Sequence, residues 1–349
     1  MYDSILLVSF GGPEKPEDVM PFLENVTRGR GIPRERLHEA AEHYYHFGGK
    51  SPINDQCREL IAALRPELDA NGINLPIYWG NRNWHPYLAD TLRQMRDDGR
   101  KHALALVTSA YSSYSGCRQY RENIASAQAE IGDEAPKVDK IRVFYNHPGF
   151  IEAMAERVQA ALNQFPESAP GGVHFVATAH SIPCSMADSS DYLKQLKENL
   201  RLLGASTGLV GGELVFQSRS GPPAQPWLEP DILDHIRHLH SKGVKNLLVA
   251  PIGFISDHLE VMFDLDTAAK ELCSELGINM VRVPTAGTHA AFVRMLRELI
   301  AERISDAEPK LAIGLFPPSH DVCPVNCCPA PQRPGRPPVS ASPSVSQRL

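Results

Sequence analysis

The sequence Thr178-Ala179-His180-Ser181-Ile182-Pro183 ends an apolar, β-rich run that begins at Val173. Such a run, followed by a polar residue and a proline, is typical of a parallel strand that is buried on both faces. In open α/β sheets, ligands bind at the carboxyl ends of strands of this kind. His180 is therefore the first candidate functional residue, and the fold decides which groups it faces.

Strand-like and helical segments alternate along most of the chain, a pattern that predicts an α/β fold with parallel sheets. The predicted strands cover residues 4–10, 76–80, 102–109, 137–143, 173–179, 213–217, 246–252 and 279–283. The predicted helices cover residues 57–70, 87–97, 117–130, 148–163, 192–203, 230–242, 259–276 and 289–304. Both halves open with a strand and a polar turn, which predicts two Rossmann-like domains, residues 1–147 and 148–315.

The composition changes after residue 315, where the chain becomes rich in proline and serine and carries Cys323, Cys327 and Cys328. A segment of this composition cannot bury a core of its own. We expect residues 316–349 to form a tail that is mostly disordered after residue 329. Residues 316–329 are expected to be ordered only if something, such as a metal, ties them to the body.

Charge and hydropathy exclude several classes of protein. The net charge is −6, with 35 basic and 41 acidic residues and no block of like charge, so no nucleic-acid partner is expected. No apolar run approaches the roughly 18 residues needed to cross a bilayer, and the amino-terminal residues lack the pattern of a secretory signal. The sequence therefore predicts a cytoplasmic protein with at most peripheral membrane contact.

Glu260 is the residue that we expect to face His180. It follows a second buried strand, in the stretch Pro251 to Glu260, and parallel strands deliver their carboxyl ends to one crevice. An imidazole and a carboxylate placed together can bind a divalent metal or transfer protons. Spacing alone favours a structural histidine and a solvated first-turn carboxylate, so both interpretations stay open at this point.

Other polar loops could line a ligand site. Gly11-Gly12-Pro13 resembles a phosphate-binding turn, but it lacks the usual glycine order, and Pro13 removes a donor. Arg28, Arg30 and Ser51 lie in loops whose groups suit carboxylates, although solvated loops fit equally. Tyr114 belongs to a polar, aromatic segment that follows the strand 102–109.

Taken together, these stretches resemble the ferrochelatases, which insert ferrous iron into a porphyrin. The matching stretches are residues 9–13, 28–30, 48–52, 179–183, 217–219, 227–231 and 253–261, in the order found in that family. The resemblance implies two Rossmann-like domains that enclose a porphyrin cleft, with His180 and Glu260 handling the Fe²⁺ substrate and the pyrrole protons.

The chain is most similar to the bacterial branch that acts on coproporphyrin III, in haem biosynthesis. That resemblance implies a lyase that forms coprohaem and a downstream enzyme that accepts it. It also implies substrate contacts from Phe10, Arg28, Arg30, Ser51 and Tyr114. Family members often have a tyrosine in place of Phe10, and a phenylalanine cannot coordinate iron.

The tail resembles that of ferrochelatases that hold a [2Fe-2S] cluster with three tail cysteines and one from the body. Cys323, Cys327 and Cys328 would be the three, and the resemblance favours Cys117 as the fourth, with Cys184 as the alternative. Fe–S clusters take four thiolate ligands. An unstructured tail without a cluster remains the other interpretation.

Two alternative functions remain at the level of sequence. One is a chelatase for protoporphyrin IX or for another tetrapyrrole or metal, which the same cleft would serve. The other is a non-catalytic porphyrin or haem carrier, which would have no need of Glu260.

Overall fold

Eight strands form two four-stranded, wholly parallel sheets in the computed structural model, which describes residues 1–29, 31–166, 172–209, 211–222, 224–305 and 308–331. The strands are β1 Ser4–Ser9, β2 Ile77–Asn81, β3 His102–Val107, β4 Lys137–Lys140, β5 His174–His180, β6 Glu213–Gln217, β7 Asn246–Ala250 and β8 Asn279–Arg282. The sheet orders are β2-β1-β3-β4 and β6-β5-β7-β8, so both sheets repeat one arrangement. The predicted α/β fold with parallel sheets is confirmed.

Helices connect these strands. The α-helices are α1 Val19–Val26, α2 Arg34–His46, α3 Ile53–Ala70, α4 Leu88–Asp97, α5 Gln119–Ile131, α6 Pro148–Leu162, α7 Cys184–Asp188, α8 Tyr192–Thr207, α9 Ile232–Ser241, α10 Leu259–Val261, α11 Lys270–Glu275 and α12 Ala290–Ile304. Segments Tyr114–Arg118 and Met262–Ala269 are π-helical, and Pro16–Asp18 is a 3₁₀ turn. Our sequence analysis assigned no helix to α1, α2 or α7. In α2 only Leu37 and Ala41 are buried, which leaves little apolar periodicity to detect.

One continuous hydrophobic core joins the inner faces of the two sheets. Ile5 and Leu7 of β1 share this core with Ala177 of β5, and helices α3, α6 and α12 fill the space between the sheets. The outer faces have separate cores, under α4 and α5 on one side and under α9 on the other. Because both faces of each sheet are buried at its centre, the inner strands β1, β3 and β7 are nearly unbroken apolar runs. The domain limits at residues 147 and 315 stay a prediction.

The first part of the tail lies against the body. Arg142 is fully buried and donates two hydrogen bonds to the Glu302 carboxylate, at 2.7 and 3.1 Å, and a third to the Leu311 carbonyl at 2.8 Å. Asn146 donates to the Phe316 carbonyl at 2.9 Å. The sequence predicts order in residues 316–329 only if something, such as a metal, ties them to the body, and the hydrogen bond from Asn146 to Phe316 is one such tie. The predicted disorder after residue 329 falls mainly on residues 332–349, which lie outside the described residues.

None of the helices that the structure describes is long and apolar enough to cross a membrane.

Candidate active site

The end of β5 is held in place by its neighbours on both sides. His180 pairs with Gln217 of β6, and the backbone N–H of Ser181 donates to the Gln217 carbonyl at 2.8 Å. The Ser181 hydroxyl donates to the Leu228 carbonyl at 2.8 Å, and the Tyr192 hydroxyl donates to the His180 carbonyl at 3.0 Å. The backbone that carries His180 is consequently fixed before any ligand binds.

His180 and Glu260 lie next to each other, as the strand ends predicted. The Nδ1 atom of His180 hydrogen-bonds to the Ser181 carbonyl, which can only accept, so Nδ1 carries the proton of the neutral ring. Nε2 therefore holds the free lone pair, and it lies 3.7 Å from Glu260 Oε2. The side chains are 31% and 53% exposed, respectively, so both can reach a ligand. Their catalytic roles stay a prediction.

Glu260 belongs to α10, which runs directly into the π-helical segment Met262–Ala269 and then into α11. The helix predicted over residues 259–276 is present, but its middle part is π-helical rather than α-helical. A π-helical turn takes one residue more than an α-helical turn and frequently occurs at functional sites. Here it carries Asp264, four residues after Glu260, toward the end of β6.

Asp264 is a second carboxylate behind Glu260. The Gln217 amide donates to its Oδ2 at 3.2 Å, and the Ser218 hydroxyl donates to the same oxygen. Burial, assisted by the negative charge of Glu260, raises the pKa of Asp264 to about 6. Ser218 has a φ of 60°, a left-handed conformation uncommon for residues other than glycine. His180, Glu260 and Asp264 thus form a series of groups that can accept protons.

Helices α2 and α3 of the amino-terminal half reach across to this series. The His43 ring stacks on Phe263 with 3.7 Å between ring centroids, and the Gln56 amide donates to the Asp257 carbonyl at 2.9 Å. Burial and the charge of Glu260 both raise the pKa of Tyr44 well above its usual range. Both halves of the chain therefore contribute side chains around Glu260.

The predicted substrate contacts of the first loops have different environments. Phe10 packs against Phe22 with 6.3 Å between ring centroids, and the Arg82 guanidinium lies 5.6 Å from its ring centroid. Arg28 is exposed in the turn after α1, whereas Arg30 lies outside the described residues. The Phe10 side chain is part of an aromatic cluster, and the Arg28 guanidinium is open to solvent.

Ser51 and Tyr114 are less available than expected. Ser51 is 4% exposed and packs so closely on Gly12 that a Cβ at position 12 would lie 2.6 Å from the Ser51 Cβ. The Gly12 turn thus serves close backbone packing. The Tyr114 hydroxyl donates to Glu122 at 2.9 Å. Contact of these residues with a substrate stays a prediction.

The tail cysteines meet Cys117 of the π-helical segment Tyr114–Arg118. Cys117 hydrogen-bonds to the Cys323 sulfur, which also receives a hydrogen bond from Cys327, and the Cys327 and Cys328 sulfurs are 3.6 Å apart. The hydrogen bonds from Cys117 and Cys327 lower the pKa of Cys323, and the charges of Lys140 and Arg121 lower it further. The four thiols form one connected cluster.

The sequence offered Cys184 as the alternative fourth ligand. It begins α7, where its backbone N–H donates to the Pro226 carbonyl. Four thiolates are the donor set that a [2Fe-2S] cluster takes, and Cys117, Cys323, Cys327 and Cys328 fit that set. All four are free thiols in the structure.

Arg118 and His320 support the cysteine cluster, and our sequence analysis missed both. Arg118 donates to the carbonyls of Val325 and Cys327, at 3.0 and 3.3 Å, and so fixes the loop to the body. His320 Nε2 lies 3.9 Å from Cys327 Sγ. The sequence signals available were the adjacency of Arg118 to Cys117 and the spacing of His320 three residues before Cys323. For Tyr192 we find no sequence signal, whereas Ser218 lies in the matching stretch 217–219.

The ferrochelatase family model matches residues 2–304. The chain belongs to the ferrochelatase family. It is therefore an enzyme, a metal chelatase of the lyase class, for which Fe²⁺ is a substrate rather than a resident cofactor. Of the groups above, His180, Glu260 and Asp264 are those whose chemistry suits the removal of pyrrole protons.

Several curated relatives match almost the whole chain. A ferrochelatase of Rhodopirellula baltica is 58% identical over 340 residues, which cover 97% of this chain and 96% of the relative. A coproporphyrin III ferrochelatase of Streptomyces coelicolor is 50% identical, covering 94% of each protein. Another, from Nocardia farcinica, is 48% identical and covers 95% of this chain and 97% of the relative.

Solved structures support the fold. SirB of Bacillus subtilis, determined with Fe³⁺, gives a TM-score of 0.50 at 11% identity, covering 87% of this chain and 98% of SirB. A multi-domain protein of Deinococcus radiodurans, described as structurally similar to chelatases, gives a TM-score of 0.51 at 14% identity. The match covers 86% of this chain and 55% of that protein. At these identities the likeness concerns the fold alone.

We predict that Asp264→Asn stabilises the protein at neutral pH. Burial raises the folded-state pKa of Asp264 from its ordinary value of 3.8 to about 6, so burial of its ionised form destabilises the wild type as the pH rises through this interval. Relative to wild type, the free energy of unfolding of the variant should increase by on the order of 1–3 kcal/mol between about pH 4 and about pH 7.5.

Urea denaturation of both proteins at several pH values measures this difference. A difference that stays constant with pH, or that decreases as the pH rises, would contradict the assignment of a raised pKa to Asp264.

Proposed function

We propose that the protein inserts Fe²⁺ into coproporphyrin III to give coprohaem, in haem biosynthesis. The observation that carries this proposal is the approach of His180 Nε2 to Glu260 at the carboxyl end of β5. The choice of porphyrin is supported by relatives at 47–50% identity that are named coproporphyrin III ferrochelatases. The Rhodopirellula relative is named only as a ferrochelatase.

The reaction replaces two pyrrole protons of the porphyrin by one Fe²⁺ ion, with no change in the oxidation state of iron. In our proposal, the free lone pair of His180 Nε2 accepts one proton, and the Glu260 carboxylate accepts the other. Imidazole and carboxylate can also ligate Fe²⁺ before it enters the ring. Asp264, hydrogen-bonded to Gln217 and Ser218, then provides the next acceptor for a proton that leaves Glu260.

Four propionates distinguish coproporphyrin III from the two-propionate protoporphyrin IX. We propose that the guanidinium of Arg28, together with Arg30, binds propionate, because guanidinium pairs with carboxylate in a bidentate geometry. Ser51 would have to become exposed, and the Tyr114 hydroxyl would have to release Glu122, before either could contact a propionate. Phe10 would offer an apolar face to the macrocycle.

The substrate is tested by anaerobic insertion assays with Fe²⁺ and either coproporphyrin III or protoporphyrin IX, at equal concentrations. We expect a kcat/KM at least about tenfold higher with coproporphyrin III, a factor that corresponds to about 1.4 kcal/mol in the transition state. A preference for protoporphyrin IX would instead identify the protein as a protoporphyrin IX ferrochelatase. Failure to insert iron into either would contradict the proposed reaction.

The role of Glu260 is tested by Glu260→Gln. This substitution removes the negative charge while keeping the shape, so insertion should fall by about 10²-fold or more while the affinity for coproporphyrin III stays within about twofold. Porphyrin fluorescence measures the affinity, and absorbance changes measure insertion. The matched control is Glu271→Gln, which replaces an exposed carboxylate in α11 and should behave as wild type.

Unchanged insertion by Glu260→Gln would overturn the assignment of Glu260. A loss of insertion matched by an equal loss of porphyrin affinity would mean that Glu260 binds the substrate rather than the iron or the protons.

We also propose a [2Fe-2S] cluster that is held by Cys117, Cys323, Cys327 and Cys328. The connected contacts among these four thiols support it, as does the clamp of Arg118 on the loop that contains two of them. A bound cluster supplies a redox-active iron pair. A cluster on these four cysteines would tie the tail to the start of α5, which begins two residues after Cys117.

Anaerobically purified protein should show the visible absorption and the iron and sulfide content of a [2Fe-2S] centre. Cys323→Ser should lose both, because Cys323 joins the body cysteine to the tail pair, whereas Cys184→Ser, the matched control, should keep both. If Cys184→Ser lost the cluster absorption and Cys117→Ser kept it, Cys184 rather than Cys117 would be the fourth ligand. Iron-free wild-type protein after cluster reconstitution would contradict the proposal.

A cytoplasmic location, peripheral membrane contact and a downstream enzyme that accepts coprohaem stay predictions.

A further inference from the structure

A second cluster of possible metal ligands lies at the other end of the sheet that carries His180. It consists of His174, the first residue of β5; Glu213, the first residue of β6; and His235 of α9. His174 Nε2 lies 2.7 Å from Glu213 Oε2, and His235 Nε2 lies 3.1 Å from the same oxygen. One ligand atom from each residue lies within 4.8 Å of the others.

The strand register explains why these three side chains meet. Glu213 pairs with Val176, which is two residues from His174 and so on the same face of the sheet. Val176 packs in the core under α9, beside Ile236, the neighbour of His235. Two strands and one helix thus bring their side chains to one point, and such elements hold ligands more precisely than loops do.

We propose that His174, Glu213 and His235 bind a divalent transition-metal ion of the Zn²⁺ class, at a site separate from the iron-inserting cleft. Two imidazoles and one carboxylate form a common three-residue zinc set, with the fourth position left for water. Ligand atoms around tetrahedral Zn²⁺ lie roughly 3.3 Å apart, and the distances of 2.7 and 3.1 Å from the two histidines to Glu213 are somewhat shorter than this.

Burial and access are both suitable for an ion. His235 is 7% exposed, so the surrounding protein holds its imidazole at the inner side of the cluster. The side chains of Glu213 and His174 are 47% and 32% exposed, so an ion can enter from solvent. His180 lies six positions after His174 along β5, a distance of about 20 Å along the strand.

The proposal is tested on the full-length protein by equilibrium dialysis with Zn²⁺, comparing wild type with Glu213→Gln and His174→Ala. We expect each variant to lose about one equivalent of tightly bound Zn²⁺, or to bind it at least about tenfold more weakly. His240→Ala, which removes an exposed imidazole from the same helix, should bind as wild type does. Iron insertion should be unchanged in all three variants.

His180 and the tail cysteines are present in every protein compared. Any difference in bound zinc between wild type and a variant therefore reports on the His174–Glu213–His235 site. A Co²⁺ difference spectrum, wild type minus Glu213→Gln, should show ligand-field bands without sulfur charge transfer. Circular dichroism confirms that the variants are folded, and both alter partly exposed side chains. Equal zinc stoichiometry and affinity in wild type and both variants would show a hydrogen-bonded network only and would overturn the proposal.

Discussion

The hydrogen bond from His180 Nδ1 to the Ser181 carbonyl determines which imidazole nitrogen can react. It depends on the backbone conformation after β5, which is fixed by pairing with β6 and by the bonds of Ser181 and Tyr192. With that backbone in place, Nε2 lies 3.7 Å from Glu260 Oε2 before any ligand binds. Preorganisation of this kind makes a general base effective.

The remainder of the site depends on cooperation between the two sheets. Their inner faces share one core, so the strand ends of the second sheet and helices α2 and α3 of the first half keep a fixed relation around Glu260. Side chains of the body also hold the tail. Buried Arg142 bonds to Leu311 just before the tail, Asn146 bonds to Phe316, and Arg118 holds the cysteine loop at Val325. A cluster at Cys117 would therefore lie on a surface that protein contacts have already shaped.

Sequence reasoning reached the fold and the two central side chains because both rest on simple patterns. Apolar runs predicted the parallel strands, and the rule that strand ends share one crevice predicted the proximity of His180 and Glu260. The π-helical segment after Glu260 could not be predicted, because residues 259–276 have the apolar spacing of an ordinary helix. The contacts of Ser218, Tyr192 and Arg118 were missed because they join residues that are distant in sequence. The choice of Cys117 over Cys184 rested on family resemblance alone.

The most direct test of this account is the rate of Fe²⁺ insertion into coproporphyrin III by His180→Ala, measured together with porphyrin affinity. Without the Nε2 lone pair, insertion should fall by about 10²-fold or more while porphyrin binding is retained, since proton transfer by a positioned base contributes a factor of that order. Turnover at the wild-type rate would contradict the assignment of His180 as the base that faces the porphyrin.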